Sequence, residues 1–289
     1  MKIYDFCPFF NENLIANIKL EENSANNIIT CITESNRTFR NEVKPFNFIK
    51  PLDNSGLQYR YFKIDGAKTF KDKRLRLSRH PWYIKYDVNP WVNEAIQRNL
   101  AANQVTVEKD DIVILSDIDE VIDRKKIPEL LEQVYKYGVI TLPLIFNTFY
   151  FNLVCTKWGG PARFTYRLFM MTGEKFNKLR CTSDQLRKLG ESGKLVDSIH
   201  CHKEYAGYHL SWIGDYKNAA RKLSAYAHSK HDHIKELYHV DGGINQEALN
   251  TKIRNGEPIF PNQVLEINND IRLLDSVMSR REVLSKYFI

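Results

Sequence analysis

Two aspartates one residue apart, Asp117 and Asp119, follow the apolar residues 112–115 across Ser116 and run into Glu120. Carboxylates spaced in this way on an extended segment converge on one hard cation, and a divalent metal with oxygen ligands in turn grips a diphosphate. The same residues have a plainer reading, in which one aspartate caps a helix and the other is solvated. D-x-D alone is a common pair of residues. Its place at the mouth of an apolar strand raises its weight, because ligands of open α/β sheets bind beyond the carboxyl ends of the strands. Residues 115–121 also fit the strand-D-x-D-x-V order of a haloacid-dehalogenase-type phosphatase, with Asp117 as nucleophile. That chemistry needs a later G-D-x-x-x-D-like motif, and Gly214-Asp215 has no acidic residue four positions on.

The elements that position these residues read as α/β. The apolar run of residues 112–115 is too short for a buried helix and reads as an interior strand of a parallel sheet. Residues 1–6 alternate as a first strand, and Asn11 caps a helix with Leu14, Ile15 and Ile18 on one face. Residues 28–33 are a β-branched second strand, which opens a βαβ layout. Residues 36–56 read as loop, 59–63 as a third strand, and Pro90 starts a helix that carries Arg98 near its buried edge. Residues 128–137 read as a helix and 139–144 as a strand. After Trp158 the alternation weakens, and the last fifty or so residues read as basic and helical. The expected division is one α/β domain over 1–230, with a helical extension over 231–289 packed on it.

A chain of 289 residues with 43% hydrophobic and 12% aromatic content can bury a full core. Its apolar runs are too short to span a bilayer, and the first residues lack the apolar stretch of a signal peptide. Five scattered cysteines suggest free thiols in a reducing compartment, so a cytoplasmic location is expected. The formal charge of +7 favours anionic partners: nucleotide phosphates, nucleic acid or a membrane surface.

Four stretches then fall in one order: K-I-Y-D-F-C-P-F-F-N-E at the start, E-S-N-R-T-F-R-N-E-V-K-P-F over 34–46, S-D-I-D-E over 116–120 and A-G-Y-H-L-S-W over 206–212. Together they resemble glycosyltransferase family 17, over roughly residues 1–228. The resemblance implies a GT-A type fold, Rossmann-like with a mostly parallel sheet flanked by helices. It further implies a UDP-sugar donor, Mn²⁺ or Mg²⁺, and inversion at the anomeric carbon.

On that reading Asp119 ligates the metal directly, Asp117 serves metal-bound water or the ribose, and Glu120 orients either. The run from His209 resembles the His…Gly…Lys tail of other GT-A enzymes. That makes His209 the third metal ligand and Lys217 or Lys222 the phosphate lysine. As a residue on its own, His209 is equally a hydrogen-bonded core histidine. Inverting transfer needs a base for the acceptor proton, and Asp184, Glu204 and Asp215 are the candidates. Arg98 at phosphate and Glu34 at base or ribose complete the expected nucleotide contacts.

The acceptor is read from charge. Lys68, Lys71, Lys73, Arg74, Arg76 and Arg79 set six cations against one aspartate, and Arg280 and Arg281 add two more. Such runs are usually solvated faces, but beside a phosphate site they suggest polyanion contact. A hydroxymethylated base in DNA is therefore the first expectation, with a glycan or lipid-linked saccharide as the alternative. A nucleic-acid-binding module without catalysis is the non-enzyme reading. Trp158 and Trp212, with Phe149, Tyr150 and Phe151, supply faces on which a base could stack. The triplet His200–His202 with Cys181 brings zinc to mind, but adjacent strand residues point to opposite faces.

Overall fold

The computed structural model describes residues 1–52, 56–68, 70, 71, 83–158, 166–179, 181–195, 197–214, 216–225, 237, 244–260 and 262–289; of residues 70, 71, 83, 84, 158, 216 and 218 only the backbone is described. Asp215, Lys73, Arg74, Arg76 and Arg79, which enter the sequence reading, lie outside the described residues.

The chain opens with β1 (Ile3–Phe9), α1 (Asn13–Ser24), β2 (Ile28–Ser35) and β3 (Tyr59–Ile64), followed by two-residue strands β4 (Phe70–Lys71) and β5 (Tyr83–Ile84) that pair with each other. Then come α2 (Pro90–Ala101), β6 (Ile112–Leu115), β7 (Glu120–Ile122), α3 (Ile127–Tyr137), β8 (Val139–Pro143), β9 (Ile145–Thr148), β10 (Leu153–Trp158) and β11 (Tyr166–Thr172). The remainder is α4 (Gly173–Lys178), α5 (Ser183–Glu191), β12 (His200–Cys201), β13 (Gly207–Ser211), α6 (Tyr216–Ala225), α7 (Gln246–Arg254), β14 (Gln263–Ile267) and α8 (Asp275–Met278).

Two mixed sheets result. The first, in order β12-β8-β11-β6-β1-β2-β3, has every strand in one direction except β11, which runs against both β6 and β8. Ile112, Val113 and Ile114 are all fully buried, so successive side chains enter two different apolar layers. Burial on both faces is why residues 112–115 read as a continuous apolar run rather than an alternating one. Each such side chain stabilises the fold by about 1.5–3 kcal/mol.

The second sheet has the order β14-β10-β9-β13-β7. The expectation of one mostly parallel sheet missed it, because its strands are short and come from both halves of the chain. The C-terminal residues also differ from the expected helical extension. Within it α7 is helical as expected, but Gln263–Ile267 is a strand paired antiparallel with β10, and beyond that strand Asp275–Met278 is the α-helical part. Leu273, Leu274, Val277 and Leu284 share a core cluster with Ile15, Ile18 and Phe151, so this end of the chain is built into the core.

What matters for the site is the crossing between sheets. β6 belongs to the first and β7 to the second, and residues 116–119 are all that joins them. The D-x-D pair therefore sits where the chain leaves one sheet for the other. β13 pairs antiparallel with β7, with His209 opposite Glu120, and the Leu210 amide donates to the Asp119 carbonyl at 2.7 Å. Gly207 permits that approach, since a Cβ there would lie 2.1 Å from the Val121 carbonyl oxygen.

Candidate active site

Lys19 fixes the crossing from behind. It lies on α1 and is completely buried, and its ammonium donates to Ser116 Oγ at 2.6 Å, the Glu120 carbonyl at 2.7 Å and the Asp117 carbonyl at 3.0 Å. Asp5 Oδ2 on β1 is its counter-ion at 3.0 Å. Burial alone would lower the Lys19 pKa, but Asp5 and its other anionic neighbours outweigh it and the value is raised. One charged group thus ties α1, β1 and the D-x-D turn together.

Asp117 and Asp119 face different cations. Arg98 on α2 meets Asp117 with Nε at 3.1 Å and Nη2 at 3.0 Å, and Arg187 on α5 adds Nη2 at 2.9 Å. Burial pushes the Asp117 carboxyl up, but Arg187 and Arg98 overcome this and hold it well below the usual carboxylate range. Asp119 Oδ2 accepts from Lys222 Nζ at 3.0 Å, while Oδ1 stands 3.5 Å from His209 Nε2. Here too burial raises the carboxyl and is outweighed, by Lys222 and His209, so Asp119 is held well below its ordinary value.

Glu120 stands behind the turn rather than in front of it. It is fully buried, takes a bidentate pair from Arg187 at 2.8 and 3.1 Å, and accepts from the Asp117 amide at 2.8 Å. A carboxylate so held organises Arg187 and the turn.

These groups open onto a cleft of about 510 Å³. Its polar lining includes Glu12, Glu94, Arg98, Asp117, Asp119, Asp184, Arg187, Glu191, His209 and Lys222. Phe39, Trp91, Phe146, Phe149, Trp212 and Phe260 form its apolar walls. Phe149 and Trp212 directly follow Thr148 and Ser211, which are register partners on β9 and β13. Both have positive φ, 63° and 62°. For bulky residues this backbone costs about 1–3 kcal/mol each, and it turns both rings out of the sheet at the cleft.

Of the residues expected from sequence, Arg98, Asp117, Asp119, Asp184, His209, Trp212 and Lys222 are brought together here. Others are placed elsewhere. Glu34 is fully buried outside the cleft lining, with its carboxylate taken by Lys44 at 2.6 Å, the Tyr61 hydroxyl at 2.6 Å and the Asn47 and Phe48 amides. It anchors the loop that follows β2. Glu204 has a side chain 70% exposed and pairs with Lys126, again off the cleft. Lys217 is exposed and outside the lining. Lys68 is exposed beside Asp65, while of Lys71 and Trp158 only the backbone is described. Arg280 pairs with Glu21 and Arg281 lies over Phe288, both apart from the cleft. Phe151 is core, and Tyr150 packs against a neighbouring cluster that includes Phe149 and Leu153. His202 bonds Gln133, and among the described residues no three His, Cys, Asp or Glu form a group that could hold a metal.

The sequence reading missed Lys19, Glu12, Glu94, Arg187 and Glu191. For Arg187 and Glu191 a signal existed: Asp184, Arg187, Lys188 and Glu191 recur at the three- and four-residue spacing of one helix face. Gly190 lets that helix close on β11, since a Cβ would lie 2.0 Å from the Tyr166 carbonyl.

No curated relative matches the chain. Two solved structures of TarS from S. aureus are distantly similar, each at 10% identity. The one covering TarS residues 1–349 gives a TM-score of 0.38, over 89% of this chain and 71% of that one. The other gives 0.40, over 77% of this chain and 40% of that one. Scores of that size leave the fold to be described by its own strands. The model of glycosyltransferase family 17 matches residues 1–262, nearly the whole length. With the family comes the activity, and the phosphatase and pure binding-module readings fall away: the chain belongs to glycosyltransferase family 17 and is a glycosyltransferase.

Proposed function

We propose that the protein is a metal-dependent, inverting GT-A type transferase that moves a sugar from a UDP-sugar to an acceptor hydroxyl in this cleft. The observation that carries the reading is Asp119, bracketed by His209 on one oxygen and Lys222 on the other at the strand end where nucleotide ligands bind. Lys222 is the cation suited to the leaving diphosphate; burial pulls its pKa down, but Asp119 and Glu12 reverse this and keep it charged.

The donor set fits a divalent cation on an independent ground. The cleft lining carries six carboxylates against five lysines and arginines, formally one negative charge. A diphosphate entering that lining adds further negative charge, and a divalent ion offsets it. Asp119 and His209 would hold Mn²⁺ or Mg²⁺, since a carboxylate oxygen and an imidazole nitrogen face each other across 3.5 Å. Such an ion stabilises charge on the departing diphosphate. Asp117, gripped by two arginines, serves to hold Arg98 and Arg187 in place rather than as a ligand.

In transfer, the acceptor oxygen bonds to the anomeric carbon as the carbon–oxygen bond to the diphosphate breaks. A carboxylate takes the acceptor proton. Glu191 is better suited than Asp184. Its side chain is 30% exposed and Arg167 and Arg187 both meet one oxygen, whereas Asp184 is 6% exposed with Arg98 and Lys188 on separate oxygens.

For the acceptor, aromatic walls and a slightly negative lining favour a saccharide, free or lipid-linked. The DNA reading retains the overall charge of +7. The test is to incubate the full chain with a panel of UDP-sugars and Mn²⁺, offering oligosaccharides, a lipid-linked saccharide and hydroxymethylcytosine-containing DNA in parallel. Mass spectrometry of each acceptor decides among them. Absence of any transfer or donor hydrolysis across the panel, or full activity of Asp119→Asn, would overturn the site.

A further inference from the structure

The apolar residues that the fold leaves exposed are not scattered evenly. Of fifteen large apolar side chains exposed among the described residues, seven come from two short segments, 43–52 and 88–92. Leu52 is 106% exposed, Val88 88%, Val43 77% and Ile49 67%. Single exposed hydrophobes are ordinary; a cluster of this kind marks a contact surface.

Both segments lie beyond the carboxyl ends of β1 and β2, beside the cleft. The loop 43–52 is tied to the carboxyl end of β1 and the start of α1: Asn47 Nδ2 donates to the Phe10 carbonyl at 2.9 Å, and the Ile49 amide to Asn13 Oδ1 at 2.8 Å. The first turns of α2 are tied to the residues just after β2, through Asn93 to the Phe39 carbonyl at 2.7 Å and Gln97 to the Arg37 carbonyl at 3.2 Å. Arg37 is bridged in turn to Val43, so the two segments adjoin. Phe39, Phe10 and Trp91 belong to this rim and to the cleft lining alike.

Charge and spacing say what the rim fits. Pro45 and Pro51 break the loop, so it presents its apolar side chains from irregular backbone and not from a strand or helix. Exposed lysines are set among them, Lys50 within the loop and Lys63 over Phe46 at 4.9 Å, with Lys85 just ahead of Val88 in the chain; the exposed carboxylates directly ahead of these segments are Glu42 and Asp87, and Lys68 is taken by Asp65. The cores of protein–protein interfaces are depleted of lysine. A cluster of apolar side chains set among lysines instead suits the boundary between anionic headgroups and acyl chains, where the apolar groups insert and the ammonium groups stay with phosphate.

We infer that this rim docks the protein reversibly on an anionic lipid surface, with the mouth of the cleft facing the bilayer. No helix among the described residues is long and apolar enough to cross a membrane. The inference rests on the rim and not on the donor chemistry; an acceptor carried on the same surface would reach the cleft directly.

The experiment is co-sedimentation of the full chain with vesicles of phosphatidylcholine, alone and with a minority of phosphatidylserine, at low and high salt. Wild type is expected to bind the mixed vesicles and to be released by salt. Ile49→Ser with Leu52→Ser should lower partitioning about tenfold or more, since both inserting groups go. Val283→Ser, equally exposed at 78% but away from the rim, should bind as wild type does. Unfolding curves of all three should coincide, since no core volume is touched. Failure of wild type to bind the mixed vesicles overturns the inference, as does equal binding by the double variant. Loss of a wild-type dimer in the double variant, read by light scattering without lipid, would instead assign the rim to a second copy of the chain and overturn it equally.

Discussion

Replacing Lys19 by methionine isolates what holds the D-x-D turn. Methionine keeps most of the stem's volume, so packing against α1 changes little and the loss is that of the ammonium. Three hydrogen bonds go with it, to Ser116 Oγ, the Asp117 carbonyl and the Glu120 carbonyl, along with the counter-ion of Asp5. Asp5 is 1% exposed, so water cannot replace the lost charge. It still accepts from Ser116 Oγ at 2.5 Å and Asn23 Nδ2 at 2.9 Å, which leaves it hydrogen-bonded yet without a cation. Breaking a buried pair from one side costs about 3–5 kcal/mol, a large share of the roughly 5–15 kcal/mol that stabilises a domain. Urea unfolding followed by circular dichroism measures it. Asp5→Asn in the same chain removes the stranded charge, so the double variant should be more stable than Lys19→Met alone. A loss below about 1 kcal/mol for Lys19→Met, or a double variant less stable than the single, would refute the account of a buried charge anchoring the turn.

Asp119→Asn and His209→Ala should each weaken Mn²⁺ binding in the presence of UDP, read by calorimetry, and lower turnover by about a hundredfold or more. Asp117→Asn should leave Mn²⁺ affinity near wild type but lower stability, because Arg98 and Arg187 lose a buried partner worth about 1.5–3 kcal/mol; a lost metal site in that variant would return Asp117 to the ligands. Among the base candidates, Glu191→Gln should lower kcat with KM for the donor little changed, while Glu204→Gln should be silent in the same assay. The pH dependence of stability follows from Asp117 and Asp119, whose folded pKa values lie below their unfolded ones. Their contribution is complete above about pH 4, the unfolded carboxylate value, and is lost as pH falls through the folded values. Urea midpoints should therefore hold on the acid side down to about pH 4 and fall below it, and Asp119→Asn should flatten that fall.

The sequence by itself determined the elements built from local pattern. The apolar run Ile112–Leu115, the β-branched residues of β2 and the proline-started α2 each appear in the structure within a few residues of expectation. It also determined the D-x-D pair, His209 and Lys222 as residues of interest, because their types and order carry chemistry wherever they are placed. Glu34 and Glu204 show the limit of that reasoning. A carboxylate's partners decide its role, and Lys44, Tyr61 and Lys126 reach them only in the folded chain.

The tertiary structure decided what depends on contact across long stretches of chain. Lys19 looks like one more charged residue on a helix, and only the packing of α1 beneath residues 116–120 makes it a buried anchor. Arg187 and Glu191 lie some seventy residues from Asp117, and α5 brings them to it by closing on β11 at Gly190. The second sheet was illegible for the same reason. Its five strands are three to six residues long and come from positions 120 to 267, so no local period announces that they pair. Pairing between distant short strands is a property of the whole chain's packing, and that packing sets Asp119 against His209.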